Sequence, residues 1–583
     1  MSLAFIALLG RLWHVQVRQY GDLRERSSSQ SIRRIRTLPA RGSIKTSDGS
    51  VLAGSRVSYD LVFHVSEMRQ PGRRSNTVEH ILKWANKLAD TIGREANINE
   101  NYIERRLHVY PALPMNVFSN LNERELARVA ELPHPPRGME ISPTFRRHYP
   151  HPGTATHILG FCGRVRPEVE DEVFSYVPLD LRGRAGLERA YDRQLSGDGG
   201  MKTVRVDTLG YIHEEIGEGY DPVNGMDLVL TIDLEAQKTA EALLEDKEGA
   251  IVVLDVQRGG VVAMASSPTY DLANLSGEKY SRLAQQEDRR PLVNRALDGG
   301  YLPGSIIKPL IAISSLESGN LESEDEHNCT GAFRLTPTAR PIRCWNRSGH
   351  GPLNVVEAIE HSCNPFFNHY GVETGLAHIE PLLRRAGIGE RPRIDLPGGG
   401  GSGLAPNREW ARRNLQRSWL AIDTAFISIG QGAITVSPLQ AAMFTAAIAN
   451  GGTVFRPYIV QGIIDPHGVR LKNTAPSPVS RLRVSETNMD LIREGMYRAV
   501  NTSRGTARNA RNSAVDLAGK TGTAQVRRVG EDDYNDTWFV GYGPAAEPQW
   551  AIAVLVERGD SGGSTSAPLA AEFFRRWQST EEE

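Results

Sequence analysis

Hydrophobic and polar residues follow two different spacings in the first part of this chain, and each spacing predicts a different element. Alternation with a period of two predicts strands over residues 51–65 and 202–206, because successive side chains of a strand point to opposite faces. Apolar residues three and four apart predict helices over residues 78–92 and 123–130. The turn-forming residues of segment 219–225 then close this first folded region. Its His and Asp residues are scattered, so we interpret it as a scaffold.

The second region begins and ends with strand patterns around a mostly helical middle. Strands are predicted at its start, over residues 227–233, 249–255 and 261–265, and near its end, over residues 537–542 and 550–557. A helix is expected from about residue 234 to 244, and a closing helix is expected from Ala567, where the following proline is tolerated in the first turn. Strands at both ends predict an α+β plan, in which an antiparallel sheet is completed by both ends of the region.

Length and composition limit the class of protein. A chain of 583 residues exceeds what one hydrophobic core usually supports, so we expect at least two domains. Apolar residues make up 40% of the chain and charged residues 23%, which is typical of a globular protein. The net charge of −1 gives no electrostatic reason to expect nucleic acid, and that class of partner is excluded.

The first 17 residues form an apolar run that Arg11 interrupts. A spanning helix needs about 20 predominantly apolar residues, so we interpret residues 1–17 as part of a transmembrane anchor, with an amphipathic surface helix as the alternative. Several arginines follow between residues 18 and 41, and such clusters normally stay cytoplasmic, which opposes export of the region behind them. No small-x-small cleavage pattern follows, so the anchor is expected to remain uncleaved.

Three short motifs carry the candidate chemistry. They are Ser305-Ile306-Ile307-Lys308, Ser362-Cys363-Asn364 and Lys520-Thr521-Gly522. Each motif alone arises often by chance. Together, and in this order, they form the pattern of penicillin-recognising acyl-serine transferases.

The first motif supplies a nucleophile and a base. Ser305 is predicted at the start of a helix, where Lys308 shares its face. A lysine accepts the serine proton only in its neutral form, and burial or a second cation, for which Lys520 is the candidate, lowers its pKa. The helix N-terminus adds backbone N–H groups where an oxyanion would develop. The alternative is that Lys308 is a solvated residue of the first turn.

The other two motifs would complete the cleft. Ser362 and Asn364 are expected in a loop between a helix over residues 355–360 and one that starts at Pro365, although Asn364 also suits a simple helix N-cap. Lys520 and its neighbours are predicted on a strand, where a lysine and hydroxyl groups suit a substrate carboxylate. A solvated edge-strand lysine is the alternative.

The chain resembles the class B penicillin-binding proteins over nearly its whole length, and most closely their elongation-specific penicillin-binding protein 2 type. Beyond the three motifs, the resemblance is carried by Arg41-Gly42-Ser43-Ile44, Gly186-Leu187-Glu188-Arg189-Ala190-Tyr191, Leu195-Ser196-Gly197, Asn294-Arg295-Ala296, Tyr301-Leu302-Pro303-Gly304, Ser428-Ile429-Gly430-Gln431-Gly432 and Trp538-Phe539-Val540-Gly541. One departure is Thr46-Ser47, where the family usually has Asp-Arg.

This resemblance implies the domain plan. An α+β transpeptidase domain over residues 226–577 is expected to stand on an elongated N-terminal pedestal of the dimerisation type over residues 18–225. The partial anchor at 1–17 and a tail at 578–583 make up the rest.

The resemblance also implies an activity, that of a D,D-transpeptidase that cross-links peptidoglycan through an acyl-serine intermediate and is inhibited by β-lactams. Ser305 would attack the stem peptide, Lys308 would accept the proton, Ser362 would relay a proton to the leaving D-alanine, and Asn364 would hold the donor amide. The terminal carboxylate would be bound by the segment Lys520, Thr521, Gly522 and Thr523, and the backbone N–H groups of Ser305 and Thr523 would form the oxyanion hole.

The partners implied by the resemblance are peptidoglycan stem peptides on lipid-linked or nascent glycan, β-lactam antibiotics, a glycosyltransferase of the SEDS family and membrane proteins of the elongation complex. The implied location is the bacterial inner membrane, with a single span and the catalytic domain in the periplasm. A division-specific transpeptidase of the same class and a β-lactam-binding sensor without transpeptidase activity are the alternatives.

The cysteines point to a metal. Cys329, Cys344, His350 and Cys363 fall within the helical insert, and three thiolates with one imidazole form a closed tetrahedral site for zinc. Their spacing is not that of a standard zinc finger, but elongation-type members resemble this segment closely, which implies a structural zinc near the active serine. A Cys329–Cys344 disulfide and free thiols are the alternatives. Cys162 is interpreted as a small buried filler.

Overall fold

A computed structural model gives the architecture of the chain. It describes residues 2–19, 32–65, 67–109, 114–165, 175–176, 179–206, 212–217, 219–298, 300–526 and 533–581. Part of the basic segment after the first helix and the end of the expected tail lie outside these described residues. Both regions contain helices together with sheets whose strands pair mostly antiparallel, which confirms the α+β class.

The chain starts with an exposed helix, Ser2–Trp13, that continues as a π-helical turn, His14–Arg18. Phe5, Leu8 and Trp13 are all exposed on it. Among the helices of the described residues, none has the length and apolar character that crossing a membrane requires.

The pedestal is built from two long strands, Val51–Phe63 and Met139–His148, and several shorter ones, with helices packed against them. Its strands are Ile32–Thr37, Ile44–Lys45, Val51–Phe63, Met115–Leu121, Met139–His148, Cys162–Val165, Ser175–Tyr176, Asp180–Gly183, Gly200–Val206 and Ile212–Glu215, and its helices are Arg74–Ile92, Glu100–Val109, Glu123–Ala130, Thr156–Leu159, Gly186–Ala190 and Asp192–Ser196. The apolar face of Arg74–Ile92, with Val78, Ile81 and Leu88, packs on buried residues of the Val51–Phe63 strand. The strands and helices predicted here from spacing are confirmed to within a few residues.

A buried ion cluster explains the pedestal motifs. Glu188 is fully buried and accepts hydrogen bonds from Arg41 Nε and Arg147 Nε, both at 2.6 Å. Arg41 also donates to Asp192 at 2.9 Å. The interpretation of Cys162 as a filler was wrong, because its thiol donates to Glu188 Oε2 at 3.1 Å. We call Arg41, Arg147, Glu188, Asp192 and Cys162 the pedestal ion cluster.

The catalytic region is organised by a five-stranded antiparallel sheet. Its strand order is Val261–Ser267, Gly249–Asp255, Trp550–Val556, Tyr534–Gly543 and Ala518–Val526. The first two strands come from the start of the region and the other three from its end, which confirms the predicted plan. Helices Leu234–Leu243 and Ala567–Glu581 pack with each other on one side, and Pro438–Ala449, which is buried on every face, packs against the sheet as well.

The strand predicted at residues 227–233 is shorter than expected and belongs to another sheet. Asp227–Leu230 pairs in parallel with Ile44–Lys45 and antiparallel with Val460–Ile464. It therefore continues the pedestal sheet into the catalytic region. Apolar spacing alone could not show this, because the partners of the strand are distant in sequence.

The middle of the catalytic region is mostly helical, as predicted. Its helices are Gly277–Ala284, Arg295–Asp298, Gly304–Ile307, Lys308–Glu317, Val355–Glu360, Asn364–Thr374, Leu376–Arg385, Arg408–Asn414, Ala421–Ile427, Pro438–Ala449, Glu486–Asn501 and Arg508–Ala510. Short paired strands, which the spacing did not predict, are His327–Cys329 with Gly351–Leu353, Ala332–Phe333 with Ile342–Arg343, Thr453–Phe455 with Pro478–Arg481, and Val460–Ile464 with Arg470–Asn473.

Candidate active site

Ser305 lies on a short 3-10 turn, Gly304–Ile307, that leads into the helix Lys308–Glu317. Gly304 has a φ of +55° and donates its N–H to the Gly430 carbonyl at 2.9 Å. A Cβ at Gly304 would lie 3.0 Å from the Thr523 carbonyl oxygen, so only glycine lets the two segments approach this closely. The nucleophile is thus presented against the strand that carries the third motif.

Lys308 is fully buried at the start of this helix. Its ammonium donates to the Ser362 carbonyl at 2.7 Å, to Asn364 Oδ1 at 2.8 Å and to Ser362 Oγ at 3.3 Å. Burial lowers the pKa of Lys308 to about 8, against an opposing effect of the nearby cysteines. The alternative of a solvated residue is therefore wrong, and the first two motifs are in direct contact.

Ser305 is half-buried, and its Oγ makes no hydrogen bond among the described residues. All the hydrogen bonds of the Lys308 ammonium go to the second motif. Proton transfer from Ser305 to Lys308 requires a hydrogen bond between the two groups, and catalytic hydrogen bonds commonly tighten only when the substrate binds.

The second motif joins the helices Val355–Glu360 and Asn364–Thr374, whose positions match the prediction. Ser362 has a φ of +55°, which is strained for a residue other than glycine and is typical of functional sites. The interpretation of Asn364 as an N-cap was wrong, because Cys363 occupies the N-cap position and makes no side-chain cap bond. The Asn364 amide instead donates to the Arg343 carbonyl at 3.1 Å while accepting from Lys308.

The third motif lies on the strand Ala518–Val526. Lys520 is fully buried, and its ammonium donates to the Thr521 carbonyl at 3.1 Å. Its pKa is held well below the usual value by burial first and then by the charge of Lys308. The alternative of a solvated edge lysine is wrong, and the electrostatic effect of one lysine on the other indicates that they share one site.

The strand also passes directly over the serine turn. A Cβ at Gly522 would lie 2.8 Å from the Pro303 carbonyl oxygen and 3.0 Å from Ile306, which explains the glycine. Thr521 is buried, whereas Thr523 is exposed and its Oγ1 accepts from the Gly562 N–H at 3.1 Å. The three motifs, which are far apart in sequence, therefore converge on one site.

The sequence interpretation missed two backbone supports of this cleft. Gly430 receives the hydrogen bond from Gly304, and Gly562 contacts the strand at Thr523. The glycine-rich run around Gly430 was part of the family resemblance and could have suggested a close backbone approach. Gly562 carried no comparable signal.

The predicted metal ligands also come together. One ligand atom from each of Cys329, Cys344, His350 and Cys363 lies within 4.8 Å of all the others. Cys344 Sγ and His350 Nδ1 are 3.7 Å apart, and a hydrogen bond from Cys363 lowers the pKa of the Cys344 thiol. All these cysteines are free, so the structure contradicts the alternative of a Cys329–Cys344 disulfide. Within the described part of the chain, His350 Nε2 is buried without a hydrogen-bond partner.

Comparison with known proteins assigns the family. A family profile described as the penicillin binding protein transpeptidase domain matches residues 249–575, and one described as the penicillin-binding protein dimerisation domain matches residues 36–230. The chain belongs to the penicillin-binding protein transpeptidase family. The first profile alone covers more than half of the chain.

Similar proteins carry the same assignment. The chain is 30% identical to the peptidoglycan D,D-transpeptidase MrdA of Acinetobacter baumannii, over 99% of this chain and 86% of that protein. It is similar to penicillin-binding protein 2 of Pseudomonas aeruginosa in complex with WCK 5153, with 28% identity, a TM-score of 0.67, and coverage of 94% and 96%. It is also similar to a chain from a peptidoglycan synthase complex that coordinates polymerization and crosslinking. The identity is 26%, the TM-score is 0.73, and the match covers 99% of this chain and 97% of that chain. The predicted fold and the resemblance to the elongation-type class B proteins are confirmed.

Proposed function

We propose that this chain is a peptidoglycan D,D-transpeptidase of the class B elongation type, which works through an acyl-enzyme on Ser305. The observation that carries the proposal is the convergence of two fully buried lysines, Lys308 and Lys520, on one serine turn. A buried lysine with a lowered pKa is a competent base, and a second buried cation is a natural anchor for an anionic substrate. The MrdA relative supports the same activity.

In the proposed reaction, Ser305 Oγ attacks the carbonyl carbon between two D-alanines of a donor stem peptide, and neutral Lys308 takes the hydroxyl proton. The tetrahedral intermediate collapses to a Ser305 ester, and the terminal D-alanine leaves as an amine after Ser362 relays a proton to it. An amine from a neighbouring stem peptide then attacks the ester. A new amide bond forms as the bond to Ser305 Oγ breaks. The proton that the attacking amine loses is passed through the same groups to Ser305 Oγ, which restores the free serine.

The remaining residues would bind and orient the donor. Lys520, Thr521 and Thr523 would hold its terminal carboxylate, and that anion would raise the pKa of Lys520 again, so that binding restores a full ammonium. Gly522 lets the strand lie against the serine turn, and the backbone N–H groups of Ser305 and Thr523 would receive the oxyanion. Asn364, held between Lys308 and the Arg343 carbonyl, would bind the donor amide.

The activity is tested with a donor pentapeptide that ends in D-alanyl-D-alanine and with an amine acceptor. The wild type is expected to release D-alanine and to form the cross-linked product, whereas Ser305→Ala forms neither. Ser318→Ala, at the other end of the same helix, is the matched control and should behave like the wild type. Penicillin binding without any D-alanine release would favour the sensor alternative, and product formation by Ser305→Ala would refute the assignment.

We further propose that Cys329, Cys344, His350 and Cys363 hold one structural zinc ion. The donor set fits, because three thiols and one imidazole meet in a mostly buried cluster in which His350 Nδ1 lies 3.7 Å from Cys344 Sγ. Bound zinc would supply a rigid crosslink. Cys363 lies between Ser362 and Asn364, so its fixed position would hold both side chains towards Lys308.

The metal is measured by elemental analysis of protein purified without chelator. About one zinc per chain is expected, together with protection of three thiols from alkylation until a chelator is added. Alkylation of Cys162, which lies outside the cluster and donates to Glu188, should not change when the chelator is added. A zinc content near zero with all thiols intact would refute the proposal of a structural zinc ion.

The location and partners form a separate proposal. We place the protein in the bacterial inner membrane through a single span, with the catalytic domain in the periplasm, beside a SEDS-family glycosyltransferase and other membrane proteins of the elongation complex. The similarity to a chain from a peptidoglycan synthase complex that coordinates polymerization and crosslinking supports such a partnership. Depletion in the host distinguishes the roles, since rounded cells are expected for elongation and filaments would favour division.

A further inference from the structure

The segment that delivers the nucleophile is fixed from several sides. Residues 301–304 run into the serine turn, and Tyr301 exchanges backbone hydrogen bonds with Val436 at 2.9 and 2.8 Å. The Tyr301 ring meets the edge of Trp538 with centroids 6.1 Å apart, and Trp538 Nε1 donates to the Leu302 carbonyl at 3.0 Å. These contacts tie the residues before Ser305 to the sheet of the catalytic region.

One further contact has no place in the proposed reaction. The Tyr301 hydroxyl donates to Glu557 Oε1 at 2.6 Å, and Glu557 directly follows the central strand Trp550–Val556. The same oxygen accepts from Arg295 Nε at 2.8 Å. The side chains of Arg295 and Glu557 are 0% and 8% exposed, so both charges are buried as a pair.

The rest of the Arg295 guanidinium is used by the backbone. Its Nη2 donates to the Arg289 carbonyl at 2.9 Å, and its Nη1 donates to the Arg290 carbonyl at 3.3 Å. Arg290 itself comes within 3.7 Å of the second oxygen of Glu557. The Glu557 carboxylate is therefore held in one orientation by cations, and its remaining hydrogen-bonding capacity is directed at Tyr301.

We propose that Glu557 is a positioning residue for acyl transfer, which acts through the hydroxyl of Tyr301 to hold the Ser305 turn against the sheet. Burial and the Glu557 charge raise the pKa of Tyr301, so its hydroxyl remains a donor. A displacement of about 1 Å at a reacting group costs on the order of 100-fold in rate. Loss of the Tyr301–Glu557 hydrogen bond should therefore change the rate of acylation more than the affinity for the substrate. This inference rests on the proposed acylation of Ser305.

The test separates the two steps of the reaction with a fluorescent penicillin. Stopped-flow measurement gives the dissociation constant of the initial complex and the rate constant of acylation. Tyr301→Phe removes one oxygen and is expected to lower the acylation rate constant by about 10- to 100-fold, with the dissociation constant unchanged within about twofold. Glu557→Asp keeps the charge but shortens the reach, and it is expected to slow acylation in the same way.

Tyr191→Phe is the matched control. The Tyr191 hydroxyl also donates to a carboxylate, Asp395 Oδ2, at 3.2 Å, but in the contact between the pedestal and the catalytic region. Tyr191→Phe is expected to lower the melting temperature about as much as Tyr301→Phe does. Its acylation rate, in contrast, should stay normal. Acylation within about twofold of wild type in both Tyr301→Phe and Glu557→Asp, or equal slowing in Tyr191→Phe, would overturn the positioning role. Absence of labelling in the wild type would instead refute the proposed function.

Discussion

The pedestal ion cluster and the catalytic lysines both bury charged side chains, but they treat those charges in opposite ways. In the pedestal, Glu188 lies between Arg41 and Arg147 with hydrogen bonds of 2.6 Å on both sides. In the cleft, Lys308 and Lys520 are fully buried, and no ion pair of the described residues includes either one. Their ammonium groups are satisfied by neutral oxygens instead.

This difference separates a structural charge from a reactive one. Burial alone would raise the pKa of Glu188, but the guanidinium groups of Arg147 and Arg41 outweigh that effect and hold the pKa below its usual value. Around Lys308 the opposing effect of the nearby cysteines does not outweigh burial, which brings the pKa of Lys308 down to about 8. The pedestal charge is therefore fixed at all ordinary pH values, whereas the cleft lysine can exchange a proton near neutral pH.

The largest expected effect comes from removing the reactive charge. Lys308→Met keeps most of the side-chain volume but removes the base, so the acylation rate is expected to fall by about 10²- to 10⁴-fold. Because no anion is left unpaired, the free energy of unfolding should stay the same or increase. Rates are measured with fluorescent penicillin and stability by denaturant unfolding. Near-normal acylation by this variant would show that another group takes the proton.

Removing the structural charge should have the converse result. Glu188→Gln leaves the buried guanidinium of Arg147 without an anion and leaves Arg41 with Asp192 alone, so the free energy of unfolding is expected to fall by about 3–5 kcal/mol. At temperatures where the variant is folded, Ser305 acylation should be unchanged. Glu140→Gln is the control, since Glu140 pairs with His64 at the exposed surface and should contribute about 1 kcal/mol or less. Equal stability of the two variants would contradict the pedestal half of the comparison.

The pH dependence sharpens the same contrast. Lys308 acts in its neutral form, so the acylation rate should rise about tenfold per pH unit below its pKa of about 8 and level off above it. The Glu188 carboxylate has a lowered pKa, so its contribution to stability is present above the ordinary carboxyl pKa and is lost only as the pH falls through the folded-state value. The measurements are acylation rates from pH 6 to 10, with Glu188→Gln showing the same profile. A flat profile would exclude Lys308 as the titrating base.

The smallest effect concerns the thiol of the pedestal. Cys162→Ala removes one hydrogen bond to Glu188 but leaves the ion pairs of Glu188 with both arginines. The free energy of unfolding should therefore fall by about 1–2 kcal/mol. The change is read from denaturant unfolding alongside Glu188→Gln. A loss as large as that of Glu188→Gln would mean that the thiol, and not the two arginines, controls the cluster.

The residues that were easiest to predict are those whose role depends on their near neighbours in sequence. The helices at 123–130 and 355–360 were predicted at their observed bounds, because capping and apolar spacing are local signals. The catalytic motifs were recognised for the same reason. Sequence order could not show that Lys308 bonds to Asn364, since that contact joins two separate helices.

What the sequence did not reveal depends on partners distant along the chain. Asp227–Leu230 reads as the start of the catalytic sheet, yet its strand partners lie in the pedestal and near residue 460. Cys162 reads as an apolar filler until Glu188 is placed beside it. Asn364 before a proline is a good cap by itself, but the buried ammonium of Lys308 outcompetes the helix N-terminus for its oxygen.

The central claim is that the unpaired lysines of the cleft activate one hydroxyl group. It is tested most directly by peptide mapping of the protein after reaction with a penicillin, in which mass spectrometry locates the added acyl group. A single adduct on Ser305, absent from Ser305→Ala and formed far more slowly by Lys308→Met, is the predicted result. An adduct on another residue, or the same rate of adduct formation without Lys308, would contradict the account.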